Sequence, residues 1–167
     1  MGRVPCIGCG GLVPDVEGPS HRYMLASPGC WAAYTQTLSG ENGGSWVQPH
    51  GALTVDAYAV QHPGVPNPQA TQSVWVHLIT LHLALEGGWP VEQLVRIRRF
   101  GADSSAGWRW LEPPRSLGPV TAIDVVEAAQ NDASEIVRAW VEGAWAAWAP
   151  HQAEVRAEAA RLVGRLG

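Results

Sequence analysis

Lysine is missing from this 167-residue chain, and all 11 basic residues are arginine. Set against 15 acidic residues they leave a formal net charge of −4, which excludes the broad basic footprint that nucleic acid or an anionic membrane surface demands. No long apolar run occurs either. The longest stretch, Val74 to Leu85, is interrupted by His77, Thr80 and His82, short of the about 20 residues that a membrane-spanning helix needs. The first residues, MGRVPCIGCGG, contain no apolar segment of the secretory kind. Three cysteines are an odd number, so a disulfide framework that pairs every thiol is excluded. Without an export signal the thiols are expected to stay reduced, and a cytoplasmic setting follows. There is no G-x-S-x-G elbow, no P-loop, no H-E-x-x-H, and no G-x-G-x-x-G following a strand, so several familiar nucleophile, phosphate and zinc-protease motifs are absent.

What is present is enough for a folded core: 46 % hydrophobic and 16 % charged residues, with nine tryptophans against three tyrosines and one phenylalanine. Residues 1–30 are dense in Gly and Pro and show no sustained hydrophobic period, so they need some other means of ordering. From there on the periods are helical. Ser27-Pro28 starts a first helix carrying Cys30, Trp31, Tyr34 and Leu38, ended by a Gly- and Asn-rich turn over Ser39–Ser45. A second helix fits Ala52 to Gln61, stopped by His62-Pro63-Gly64. The third is capped by Asn67-Pro68, ended by Gly87-Gly88, and apolar most of the way round, which predicts a central position. Val91 to Phe100, Thr121 to Ala129 and a long segment from Ala133 toward Leu166 complete the set, with Pro150 expected to kink or split the last. No alternating strand pattern is evident. The expected architecture is therefore all-α: a helical, bundle-like core over residues 31–167 with a small irregular zinc-knuckle segment over residues 1–30, in one domain.

Cys6-Ile7-Gly8-Cys9-Gly10 has the spacing of a knuckle in which two thiolates bind one tetrahedral ion. Two more ligands are required, and the nearest suitable ones in sequence are His21 and Cys30, giving C-x2-C-x11-H-x8-C, with Asp15 as a replacement for His21. A structural Zn2+ here would supply the ordering that the segment lacks, because metal-binding free energy becomes folding free energy. Two other readings stay open. A C-x-x-C pair also serves thiol redox chemistry, but that motif opens a helix after a strand, and neither is evident. Cys30 can equally be a small buried hydrophobe beside Trp31.

The remaining histidines offer a second chemistry. His50, Asp56 and His62 bracket the second helix, and His77 lies on the third, beside a strip of small residues, Ala70, Ser73, Thr80 and Ala84, that leaves space at its imidazole. Two histidines and a carboxylate are the raw material of a hydrolytic metal site. His82 pairs more naturally with Glu86 one turn on. His151 falls in line with Val155, Ala159 and Leu162, as a core histidine or as a residue reaching into a shared pocket. Arg96, Arg98 and Arg99 form a small basic patch that can meet a phosphate, although such a run is more often the solvated face of a helix, here partnered by acidic neighbours.

Several stretches resemble an uncharacterised bacterial family, one of the domains of unknown function. They are Cys6-x-x-Cys9-Gly10, Gly18-Pro19-x-His21-x-Tyr23, Ser27-Pro28-x-Cys30-Trp31, the run Leu53 to Gly64 (LTVDAYAVQHPG), Leu111-Glu112-Pro113-Pro114 and Trp148-Ala149-Pro150-His151. The resemblance implies one intact domain and carries no activity with it. Where a second histidine often follows the Pro-His pair in that family, this chain has Gln152. Two functions are expected from the residues. The first is a zinc-stabilised protein that binds or regulates through a small molecule or a protein partner. The second is a metal-dependent hydrolase-like enzyme using His50, Asp56, His62 and His77, with His151 as a further candidate.

Overall fold

The computed structural model describes residues 2–39, 50–104, 107–128 and 133–167. It is mostly helical, as the hydrophobic periods predict. Two short strands, β1 (Arg3–Pro5) and β2 (Leu12–Pro14), are followed by α1 (Pro28–Ser39), α2 (Thr54–Gln61), α3 (Pro68–Leu85), α4 (Val91–Asp103), α5 (Ala122–Ala128), α6 (Ser134–Ala147) and α7 (Gln152–Gly164). The strands correct the expectation of an N-terminal segment without β-structure. They pair antiparallel, Val4 opposite Val13, and so clamp the two ends of the cysteine knuckle. The turn expected over Ser39–Ser45 lies, from residue 40 on, outside the described residues, as does Ala129, the expected last residue of the fifth helix.

α3 is the central helix. Asn67 caps it, its side-chain oxygen accepting from the Ala70 amide at 2.9 Å, and Pro68 opens the first turn. Val74, Trp75, Leu78, Ile79 and Leu81 are buried on more than one face. α2, α4, α6 and α7 all pack on it. The long last segment is split: a 3-10 turn, Ala149–His151, separates α6 from α7 at Pro150, whose ring cannot donate to the helix ladder. On α6 the inward face is Val137, Trp140, Val141, Ala144 and Trp145, and Ile136 beside it is only partly buried.

The buried tryptophans are satisfied as well as packed. Trp140 donates its Nε1–H to Gln61 Oε1 at 2.7 Å, and Trp148 donates to the Val60 carbonyl at 3.1 Å. Gln61 in turn donates to the carbonyls of Leu117 and Val120 at 3.0 and 2.8 Å. These bonds anchor the end of α2 in the core, since a buried polar group left unpaired costs about 1–3 kcal/mol. The next residue in the chain is His62, so its position is set by the same anchorage.

Candidate metal centre

The knuckle is a tight loop between β1 and β2. Cys6 donates its amide to the Gly11 carbonyl at 2.8 Å, and Gly10 donates to the Cys6 carbonyl at 3.0 Å, with Gly10 at φ 76°. The amides of Gly8 and Ser27 donate to Cys6 Sγ at 3.5 and 3.4 Å, a pattern that favours a thiolate. Gly8 has no room for a side chain: a Cβ there would lie 2.1 Å from the Leu25 carbonyl oxygen and 2.5 Å from His62 Cδ2. Cys30 reaches the same spot from the first turn of α1. The Ser27 hydroxyl, expected as the helix cap, accepts the Ile7 amide at 3.0 Å and so ties the knuckle to that turn.

The fourth group is His62, not His21. His62 follows the last residue of α2, and its ring is stacked on Tyr58 at 4.0 Å between centroids. With Nδ1 donating to the Tyr58 carbonyl at 2.7 Å, Nε2 is the ring atom left to act as a ligand. It lies 3.6 Å from Cys6 Sγ and 3.3 Å from Cys30 Sγ, and Cys9 Sγ is 3.9 Å from Cys30 Sγ. All four donor atoms fall within 4.8 Å of one another. A tetrahedral ion bonded at about 2.3 Å to sulfur and about 2.0 Å to nitrogen spaces its ligands about 3.8 Å apart for S···S and about 3.5 Å for S···N. The donor set and its spacing therefore fit one tetrahedral ion, with C-x2-C from the knuckle, one thiol from α1 and one imidazole from the end of α2. Among the described residues this is the one such group of histidine, cysteine and carboxylate side chains.

The electrostatics agree. Hydrogen bonds from Cys30 and Cys9 hold Cys6 far below the ordinary thiol range, against the effect of burial. Cys30 is pushed far up in return, first by its bonds to Cys6 and Cys9 and then by burial. For His62, burial alone would favour the neutral ring, but bonds to Cys6 and Cys9, the Cys9 charge and the Tyr58 carbonyl outweigh it and raise the value to about 9. These shifts place negative charge on Cys6 and a proton on His62, and a cation at the centre would replace that proton as the partner of the thiolate.

The other sequence candidates are placed elsewhere. His21 uses Nδ1 to accept the amides of Met24 at 3.2 Å and Tyr23 at 3.4 Å, and packs edge-on against Tyr23 and Trp31. It shapes the loop beside the knuckle and stays outside the cluster. Asp15 is exposed, with its amide on the Gly2 carbonyl. The quartet His50, Asp56, His62 and His77 does not converge on one point. His62 faces the cysteines, and His50 lies 3.9 Å from Glu142. Asp56 and His77 do meet, Nδ1 to Oδ1 at 2.7 Å, but the carboxylate is also gripped by Arg98 through Nε at 3.1 Å and through Nη2. Arg98 is therefore turned inward rather than sitting on a solvated face with Arg96 and Arg99. His151 faces the Glu112 carbonyl oxygen, with Nε2 at 2.8 Å. His82 pairs with Glu86 as its spacing predicts.

Residues 4–149 match a family of unknown function, DUF5946. The chain belongs to DUF5946. The DUF5946 match spans all four residues of the cluster as well as Asp56, His77 and Arg98. Neither a curated protein nor a solved structure matches the chain.

His62, read from the sequence as a candidate for a different site, carried only a weak signal for this cluster. It stands directly before Pro63-Gly64, where a helix must end, and four residues after Tyr58, the spacing at which the two rings stack.

Proposed function

We propose that DUF5946, as represented by this chain, is a zinc-stabilised helical protein with a binding or regulatory role. Cys6, Cys9, Cys30 and His62 are its zinc ligands. One observation carries this reading: four soft or borderline donors from three separate elements, each at ligand spacing from its neighbours. Three thiolates and an imidazole select zinc over the hard cations. Four protein ligands fill a tetrahedral shell, which is the mark of a structural ion, whereas a hydrolytic zinc keeps one position for water. Reduced thiols in the site fit a cytoplasmic setting.

Elemental analysis of protein purified without a histidine tag is expected to give one zinc per chain. His62→Ala should lose the metal, while His21→Ala should keep it and lose only loop stability. Metal-free native protein, or zinc retained by His62→Ala but lost by His21→Ala, would overturn the assignment.

A further inference from the structure

Between α3 and α4, outside the metal centre, lies a cavity of about 270 Å³. Its wall includes Ser73, Val76 and His77 from α3, Arg98 from α4, and Tyr23 from the loop beside the knuckle. Among the described residues no acidic side chain lines it. Asp56 is fully buried behind the wall, whereas the side chains of Arg98 and His77 keep 20 % and 15 % of their surface exposed. Asp56 thus works as a hidden orienter. It accepts from Arg98 Nε and Nη2, and Nη2 also donates to the Ala52 carbonyl at 3.0 Å, so only Nη1 of the guanidinium makes no hydrogen bond within the described residues. It holds His77 by Nδ1, which leaves Nε2 as the free polar atom of the ring.

Ser73 supplies an independent observation. Its hydroxyl is buried and has no hydrogen-bond partner among the described residues. It stands one helical turn before His77, on the same face of α3. A buried hydroxyl is almost always paired, so this one, on a residue of the cavity wall, is a donor that a rotation about its side chain would offer to a molecule in the cavity. Arg98 Nη1, His77 Nε2 and Ser73 Oγ are donors or can become donors, and among the described residues nothing acidic competes with them at the wall.

We infer that this cavity is a binding site for a small molecule carrying a carboxylate or phosphate group, with Arg98, His77 and Ser73 as its anion contacts. The inference deepens the binding role proposed above and names its ligand class. The wall is also tied to the metal centre. The Tyr23 carbonyl lies against Gly64, two residues past His62, so closely that a Cβ at Gly64 would sit 2.4 Å from it.

The test is calorimetric titration of zinc-loaded protein with inorganic phosphate and, separately, with succinate, at constant ionic strength set by chloride. The expected result is saturable 1:1 binding of at least one anion at millimolar concentration or below. The same titration should shift the His77 imidazole resonances. Ser73→Ala is the variant of choice, because removing Arg98 would expose the buried Asp56 charge and endanger folding. It should weaken binding about ten-fold. Without anion it should melt no lower than the parent, whereas a purely structural Ser73 would lower the melting temperature. Tighter phosphate binding identifies a phosphoryl ligand, and tighter succinate binding a carboxylate one. Absence of saturable binding, or binding that Ser73→Ala leaves unchanged, overturns the site. Zinc content is measured first on both proteins, so that failure of the pocket with zinc in place is distinct from failure of the metal centre.

Discussion

Replacing Gly8 by alanine tests how the knuckle is seated against the helical core. The added Cβ would lie 2.1 Å from the Leu25 carbonyl oxygen and 2.5 Å from His62 Cδ2, far inside van der Waals contact. Neither neighbour yields cheaply. The Leu25 oxygen is backbone, and the His62 ring is locked by its stack on Tyr58 and by its Nδ1 bond to the Tyr58 carbonyl. Relief therefore requires the knuckle to move by more than about 1 Å, with overpacking at the upper end of its usual range, about 3 kcal/mol. For a chain of this size that corresponds to a fall in melting temperature of roughly 6–12 °C. The same movement separates His62 from Cys6, so the variant should also surrender zinc to a competing chelator at lower chelator concentration. Gly10→Ala is the control. Gly10 has φ 76° and open space around it, so alanine meets only the left-handed backbone penalty of about 1–2 kcal/mol and leaves the ligands in place. Thermal melts followed by circular dichroism, paired with chelator competition, separate the two. If Gly8→Ala melts within about 2 °C of the parent and holds zinc equally well, the seating of the knuckle on His62 is wrong.

Two further perturbations address the charges of the core and the surface. Asp56 is fully buried between Arg98 and His77, and Asp56→Ala leaves a guanidinium without its counter-charge; the expected loss is about 3–5 kcal/mol in urea denaturation, and a loss under about 1 kcal/mol would refute the pairing. Glu86 is held down at about 2 by hydrogen bonding to Arg156, against some burial, with help from Trp145 and His82. A carboxylate with a depressed value stabilises the fold above its unfolded value of 4.5 and loses that contribution as pH falls toward 2. Melting temperatures of Glu86→Gln should therefore fall less steeply than those of the parent between those two pH values, and parallel curves would sink the idea.

Helix α3 was legible because its signals are local: a capping Asn-Pro, a Gly-Gly stop, and an apolar surface read within one window. The split at Pro150 was legible for the same reason. The two strands were not, since three residues each are too few to show a period of two. The three cysteines announced themselves by rarity and by the C-x-x-C spacing. His62 pointed to a different site, with His50, Asp56 and His77, because it comes 32 residues after Cys30 and reaches it only through the packing of α2 on the core. His21 stood closer in sequence and has the right chemistry, but nearness along the chain is no guide once a loop can spend its imidazole on backbone amides. Arg98 misled in a related way. An amphipathic pattern records where a residue's Cα sits, and a long side chain can fold back from there onto a buried carboxylate.

The wide sequence separation of the ligands bears on what the metal would do. An ion held within residues 6–30 would order the N-terminal segment and nothing more. His62 changes that, because it sits at the end of a helix whose preceding residue, Gln61, is bonded to Trp140 of α6 and to the carbonyls of Leu117 and Val120. Zinc at this centre would join the hairpin and α1 to the middle of the core, and binding free energy would be felt there as folding free energy. On the far side of His62 the chain turns at Pro63-Gly64, and Gly64 lies against Tyr23, which lines the cavity holding Arg98, His77 and Ser73. The cysteine–histidine cluster and the cavity are thus linked through the contact of Gly64 with Tyr23. A metal that orders the Tyr23 loop preorganises the anion site, so each ligand would tighten the binding of the other, which is the reciprocity that any regulatory coupling between two sites must obey.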